Sequence, residues 1–147
     1  LIGQVKNNPR MHIPIIGNGD ITSPQQAKDY FNRYGVDAIM VGRATFGCPW
    51  IFADIKNHLF PDMPPIPSPT GNMAACVEVL KEHVLRAIEW CGNDERKGIV
   101  HSRRHFAASP VFKGLTDFKQ TRIALLRADT KDEVFTIMDE IVTKWGK

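Results

Sequence analysis

Residues 60–70 hold five prolines in eleven positions: Pro61, Pro64, Pro65, Pro67 and Pro69. Each proline fixes its own φ and lacks a backbone N–H, so neither a helix nor a central strand runs through this stretch. It reads as an extended linker, and the chain is therefore expected to form two pieces, residues 1–60 and 72–147, joined by residues 61–71. The hydrophobic pattern differs on the two sides of this break, and that difference sets the fold class.

The first piece alternates between strand and helix patterns. Residues 13–16 and 38–41 are short, almost wholly apolar runs, the pattern of parallel strands buried on both faces. Between them Ser23 is placed as an N-cap, Pro24 as the first helical residue and Gln26 as the partner completing a capping box. Gly35 stops that helix as a left-handed residue. A second helix is expected from Pro49 to about Leu59, with Ile51, Phe52, Ile55 and Leu59 at helical spacing. Each strand ends in a glycine turn, Gly17-Asn18-Gly19-Asp20 and Gly42-Arg43. Strand–helix–strand units of this kind build the (β/α)8 TIM barrel, whose last loops commonly hold a phosphate. That barrel needs about 250 residues. The expectation is thus a C-terminal fragment of a TIM barrel, part of a longer protein whose missing N-terminal part of the barrel covers the open sheet edges.

The second piece reads as all helix. Residues 72–91 carry Met73, Cys76, Leu80, Val84, Ala87 and Cys91 on one stripe. Further helices are expected over 94–107, 117–127 and 130–144. The last opens with a Thr130…Glu133 capping box and buries Val134, Ile137, Met138 and Ile141. Four such helices make a small bundle. The fold class is α/β: the barrel fragment followed by a small all-α helical bundle domain.

Composition narrows the setting. At 43% hydrophobic the chain can bury a core, and its net charge is +3. No apolar run approaches the roughly 18 residues of a membrane span, so no membrane partner is expected. Cys48, Cys76 and Cys91 form no CxxC pair, which fits a reduced, cytoplasmic protein.

Two groups of residues stand out chemically. Asn18, Gly19, Asp20, Gly42 and Arg43 combine backbone N–H groups freed by glycine with one fixed positive charge, a combination suited to a phosphate. The helix at Ser23 adds its N-terminal dipole. Asp20 would repel a phosphate, so it is expected to fix the turn or orient Asn18 or Arg43. The same residues also suit ordinary tight turns with a solvated arginine. In the second piece, residues 94–127 hold eight cations against three acids, with Phe106, Phe112 and Phe118 between them. Such clusters suit RNA backbone contact and base stacking, and equally a solvated helical face over a phenylalanine core. His101 and His105 are four residues apart, but no third ligand accompanies them and no metal site is expected. His105 contacts RNA or serves the core. Gly47-Cys48-Pro49 has the look of a reactive-cysteine loop, yet no base lies near it in sequence, and Cys48 reads as a small loop residue.

The chain resembles the C-terminal part of the bacterial tRNA-dihydrouridine synthase family. The resemblance rests on residues 13–20 (Ile-Pro-Ile-Ile-Gly-Asn-Gly-Asp), Gly42-Arg43-Ala44, residues 47–52 (Gly-Cys-Pro-Trp-Ile-Phe), Arg103-Arg104-His105, Lys113-Gly114 and Arg122. It implies that Asn18, Gly19, Asp20, Gly42 and Arg43 hold the phosphate of FMN. It further implies that Arg103, Arg104, His105, Lys113 and Arg122 lie on tRNA-facing helices. In that family NADPH reduces the flavin, which passes hydride to a uracil flipped out of tRNA, giving 5,6-dihydrouridine. The family's proton-donor cysteine sits in an Asn-x-Gly-Cys-Pro loop that this sequence does not contain. Cys48 is not its equivalent, so no catalytic residue is assigned and the chain alone is expected to be inactive. The segment from His105 to Lys113 is also about two residues longer than the family's, with Ala-Ser-Pro-Val where the family tends to place an aromatic. Two alternatives remain: a non-catalytic tRNA-binding remnant, and another FMN-dependent TIM-barrel oxidoreductase, against which the basic helical piece argues.

Overall fold

A computed structural model describes residues 2–146. It is mostly helical, with one small parallel sheet, and it divides into two compact units. The first comprises residues 1–45 and 49–68; the second comprises residues 46–48 and 69–147.

The first unit begins with a short helix, α1 (Ile2–Lys6), then β1 (Ile16–Asn18), α2 (Pro24–Tyr34), β2 (Ala38–Met40) and α3 (Ile51–Leu59). The ends of α2 follow from its sequence. Ser23 Oγ accepts from the Gln26 N–H, Pro24 takes the first turn, and Gly35 adopts φ 61° at the C-cap. The capping box does not close as expected, because the Gln26 side chain instead accepts from the N–H and hydroxyl of Thr22, at 2.8 and 2.9 Å. The strands pair parallel in the register Ile16↔Ala38, Gly17↔Ile39, Asn18↔Met40.

Two expectations about the strands need correction. β1 lies later than the apolar run 13–16, because Pro14 has no N–H to donate to a ladder and the Ile15 N–H goes to the Asp37 carboxylate at 2.8 Å. Lys6 also holds that carboxylate, at 2.6 and 2.5 Å. Nor are the strands buried on both faces: Ile13 is 69%, Ile16 63% and Met40 54% exposed. Two strands cannot cover one another's faces, and the core of this unit gathers to one side around Ile21, Ala27, Val36, Trp50, Ile51 and Ile55. The proline-rich stretch is wired to α3. Asn57 Nδ2 donates to the Ile66 carbonyl and the Ile66 N–H to Asn57 Oδ1, both at 2.8 Å, while Ser68 Oγ donates to Asp54 at 2.5 Å.

The second unit is built from α4 (Met73–Trp90), α5 (Glu95–Ala108), α6 (Lys119–Arg127) and α7 (Lys131–Trp145). The helix α4 packs on α5 and α7, and α6 packs on the same two. Asn72, Asp94 and Thr130 cap three of these helices through their side chains, and the Thr130–Glu133 box is complete. Val77, Leu80, Val84, Ile99, Phe106, Leu125, Val134, Met138 and Ile141 fill the core. Gly98 lets α5 approach α4: a Cβ there would stand 2.6 Å from the Ile88 backbone.

Candidate functional site

In the first unit the two glycine turns meet. Asn18, Gly19, Asp20, Ile21, Thr22, Met40, Gly42, Arg43 and Ala44 line one cavity of about 390 Å³. All five residues expected at a phosphate are therefore brought together, although the turns lie more than twenty positions apart. Parallel pairing of β1 with β2 does this, since it places both strand ends on the same edge.

Each turn is shaped by its own constraint. Gly17 and Gly19 make room for Tyr30 of α2: a Cβ on Gly17 would lie 3.0 Å from Tyr30 Cδ1, and one on Gly19 would strike the Tyr30 hydroxyl. That hydroxyl donates to the Gly19 carbonyl at 2.9 Å. Asp20 adopts φ 49°, a left-handed conformation that Asp and Asn tolerate better than most residues. Its carboxylate accepts from Arg43, one of the contacts the sequence offered for it. Both side chains stay largely exposed, 78% for Arg43 and 70% for Asp20, so this pair holds Arg43 loosely. Gly42 has open space where a Cβ would be.

The donor set suits a phosphate: one guanidinium, the Asn18 amide, and backbone N–H groups at a glycine turn and at the start of the short 3₁₀ turn Arg43–Thr45. The helix α2 contributes less than expected. Thr22 reaches the cavity, but Ser23 and Pro24 do not line it, and the Ser23 hydroxyl already caps the Gln26 N–H.

In the second unit the basic residues separate by role. Arg104 is exposed and lies over the Phe46 ring, 5.0 Å from its centre. Lys113 and Arg122, together with Lys119, line a cavity of about 380 Å³ that also includes Phe106, Phe112 and Phe118. Phe112 and Phe118 stack there at 5.5 Å. Arg122 is steadied by the Ala107 carbonyl at 3.2 Å. Arg103 points elsewhere, donating to the Ala128 carbonyl at 3.1 Å and to Asp129 at 2.8 Å.

His105 is half-buried, its ring 4.0 Å from that of His83 and 5.5 Å from that of Phe46. Burial, then His83, then Arg104, push its pKa down to about 4. It is therefore neutral at pH 7, with Nδ1 accepting from the Gly47 N–H at 3.3 Å. Ser109, fully buried, donates its hydroxyl to the Gly47 carbonyl at 2.8 Å. Sequence reasoning named Gly47 only as part of the Gly-Cys-Pro motif and did not single out Ser109, since nothing local marks residues whose partners lie some 60 positions away. Lys119 was visible only as one cation among eight. Cys48 belongs to this cluster and does not line the cavity at Arg43. Among the described residues no group of three or more His, Cys, Asp or Glu side chains is placed to hold a metal, and no helix is long and apolar enough to cross a membrane.

Comparison with known proteins gives one consistent answer. The model of the dihydrouridine synthase (Dus) family matches residues 1–142. A tRNA-dihydrouridine synthase B of Shewanella oneidensis is 32% identical over 144 residues, covering 94% of this chain and 40% of the relative. That of Proteus vulgaris is 38% identical over 106 residues, covering 71% of the chain and 30% of the relative. That of Escherichia coli K12 is 40% identical over 76 residues, covering 50% of the chain and 24% of the relative. The chain thus spans two fifths or less of the length of these relatives.

Proposed function

The chain belongs to the dihydrouridine synthase family, and from that premise we propose that it supplies the flavin-phosphate grip and the tRNA-holding helices of a tRNA-dihydrouridine synthase. The observation that carries the reading is the cavity at Arg43, where the glycine turns after two parallel strands converge with one guanidinium. In this reading residues 1–60 are the last part of an FMN-binding TIM barrel, 61–71 its linker and 72–147 the tRNA-binding domain.

Asn18, Gly19, Asp20, Gly42 and Arg43 would hold the FMN phosphate. Arg43 would meet its charge and backbone N–H groups and the Asn18 amide would take its oxygens, with Asp20, which accepts from Arg43, holding the guanidinium in reach. The chemistry that FMN held there would supply is hydride transfer to a tRNA uridine, giving dihydrouridine, with NADPH as the reductant. Arg104, Lys113 and Arg122 are the phosphate contacts on the helical side. Arg103 and His105 serve the same face by fixing the 128–129 turn and the 46–48 segment. No residue of this chain is assigned the protonation step, because the family's Asn-x-Gly-Cys-Pro loop is not in this sequence. The chain on its own is expected to bind without turnover, and the place of the whole activity is the cytoplasm, where tRNA is.

The test is FMN binding, followed by flavin fluorescence in the full product of the gene. Arg43→Ala is expected to weaken it by about tenfold or more, the loss of one charge-assisted contact. Unchanged FMN affinity in that variant removes the phosphate role.

A further inference from the structure

We propose that the exposed face of α5, with the Trp90 ring beside His101, is a track for a single-stranded stretch of RNA, and that Trp90 is the ring on which a base stacks. This rests on the tRNA reading above and adds residues to it.

Trp90 ends α4 and is 82% exposed. An indole left in water forgoes one of the largest apolar burials a side chain can offer, and beside a row of cations its face is free to take a base. The ring is not loose. It stands edge-on to His101 of α5, with centroids 6.2 Å apart and planes at 88°. His101 in turn lines a cavity of about 260 Å³ with Asp94, Arg96, Lys97 and Val100. Lys97, His101 and Arg104 follow at i, i+4 and i+7, so they share one helix face, and all three are exposed. That face runs about 10 Å from Lys97 to Arg104. It ends where Arg104 lies over Phe46.

The charge of this face favours a polyanion. α5 exposes Arg96, Lys97 and Arg104, while Arg103 is turned to Asp129; its single acid, Glu95, already accepts from the Lys131 N–H. Asp94 caps the helix at the Lys97 N–H and pairs with Lys97 Nζ at 2.9 Å. That surface pair gives way readily to a phosphate. Cations spaced along a helix with an exposed aromatic ring beside them, at His101, match the needs of single-stranded nucleic acid, whose bases all offer a π-face and whose backbone repeats its charge.

The experiment is equilibrium binding of an unmodified tRNA transcript to the full chain at several salt concentrations. Trp90→Ala is expected to weaken binding by about tenfold while leaving the dependence of affinity on salt unchanged, because no phosphate contact is lost. Trp90→Phe is expected to recover most of the affinity. Trp50 is buried and Trp145 is half-buried against Phe118, so the contact is read as the part of the tRNA quenching that Trp90→Phe loses relative to wild type. Wild-type affinity in Trp90→Ala overturns the stacking role and leaves the tRNA reading standing. Absence of tRNA binding by the wild-type chain overturns both. Self-association that Trp90→Ala abolishes, with tRNA affinity intact, assigns the ring to a second copy and overturns the proposal.

Discussion

His105 Nδ1 accepts the Gly47 backbone N–H at 3.3 Å, joining residues 58 positions apart within the helical unit. The bond needs a neutral imidazole. Burial, His83 and Arg104 lower the His105 pKa from 6.5 to about 4, and burial and Arg104 lower that of His83. Below pH 6.5 the unfolded chain takes up protons that the folded chain resists. Stability is therefore complete above pH 6.5 and falls as pH drops from 6.5 towards 4. Denaturant midpoints across that range should decline, and His105→Gln should flatten the decline. The acids Asp37, Asp94 and Glu133, whose pKa values are lowered from 3.8, 3.8 and 4.5, lose their contribution only below those values.

Gly47→Ala is expected to destabilise the helical unit by about 2–4 kcal/mol, from left-handed backbone cost and overpacking together. Gly47 sits at φ 66°, and a Cβ would collide with the His105 carbonyl and stand 2.6 Å from Ser109 Cα. Urea unfolding at pH 7 measures it. The comparison is Gly71→Ala, which has a positive φ but open space around its Cβ, and which should lose only about 1 kcal/mol.

Adjacent arginines should behave differently. Arg103→Ala removes the bonds to Ala128 and Asp129 and is expected to lower stability by about 1–2 kcal/mol. Arg104→Ala should leave the unfolding midpoint nearly unchanged. It should weaken tRNA binding and reduce the salt slope by about 1. Thermal unfolding and salt titration on the same two variants separate the roles.

At Asp20, backbone and charge can be tested apart. Asp20→Asn keeps a residue tolerant of φ 49° and loses only an exposed ion pair, so stability should change by under about 1 kcal/mol. Asp20→Val places a β-branched residue in a left-handed conformation and should lose about 1–3 kcal/mol. Chemical denaturation reads both.

The cavity at Arg43 was legible because each of its turns is marked locally and one strand–helix–strand unit joins them. Ser23 and Gly35 bound α2 in the sequence as they do in the fold, and two strands joined by one helix must end on the same edge. The ladder itself was misplaced, since the apolar run 13–16 outweighed the missing N–H of Pro14 and the competing Asp37 carboxylate. Arg103 and Arg104 are indistinguishable in sequence. One residue on a helix turns the side chain by about 100°, enough to send the first to Asp129 and the second to Phe46. Trp90 carries no local sign of exposure, because a tryptophan at a helix end reads as readily as core.

The pairing of Asn57 with Ile66 changes what the proline run is. An amide side chain that both donates to and accepts from one residue's backbone acts as a short stretch of neighbouring strand, and Ser68 fastens to Asp54 two residues later. What reads as a tether is a laced hem. Added residues between 60 and 65 can loop outward, whereas the same insertion between 66 and 68 tears the stitching. Insertions are therefore expected to be tolerated between 60 and 65 and to destabilise between 66 and 68.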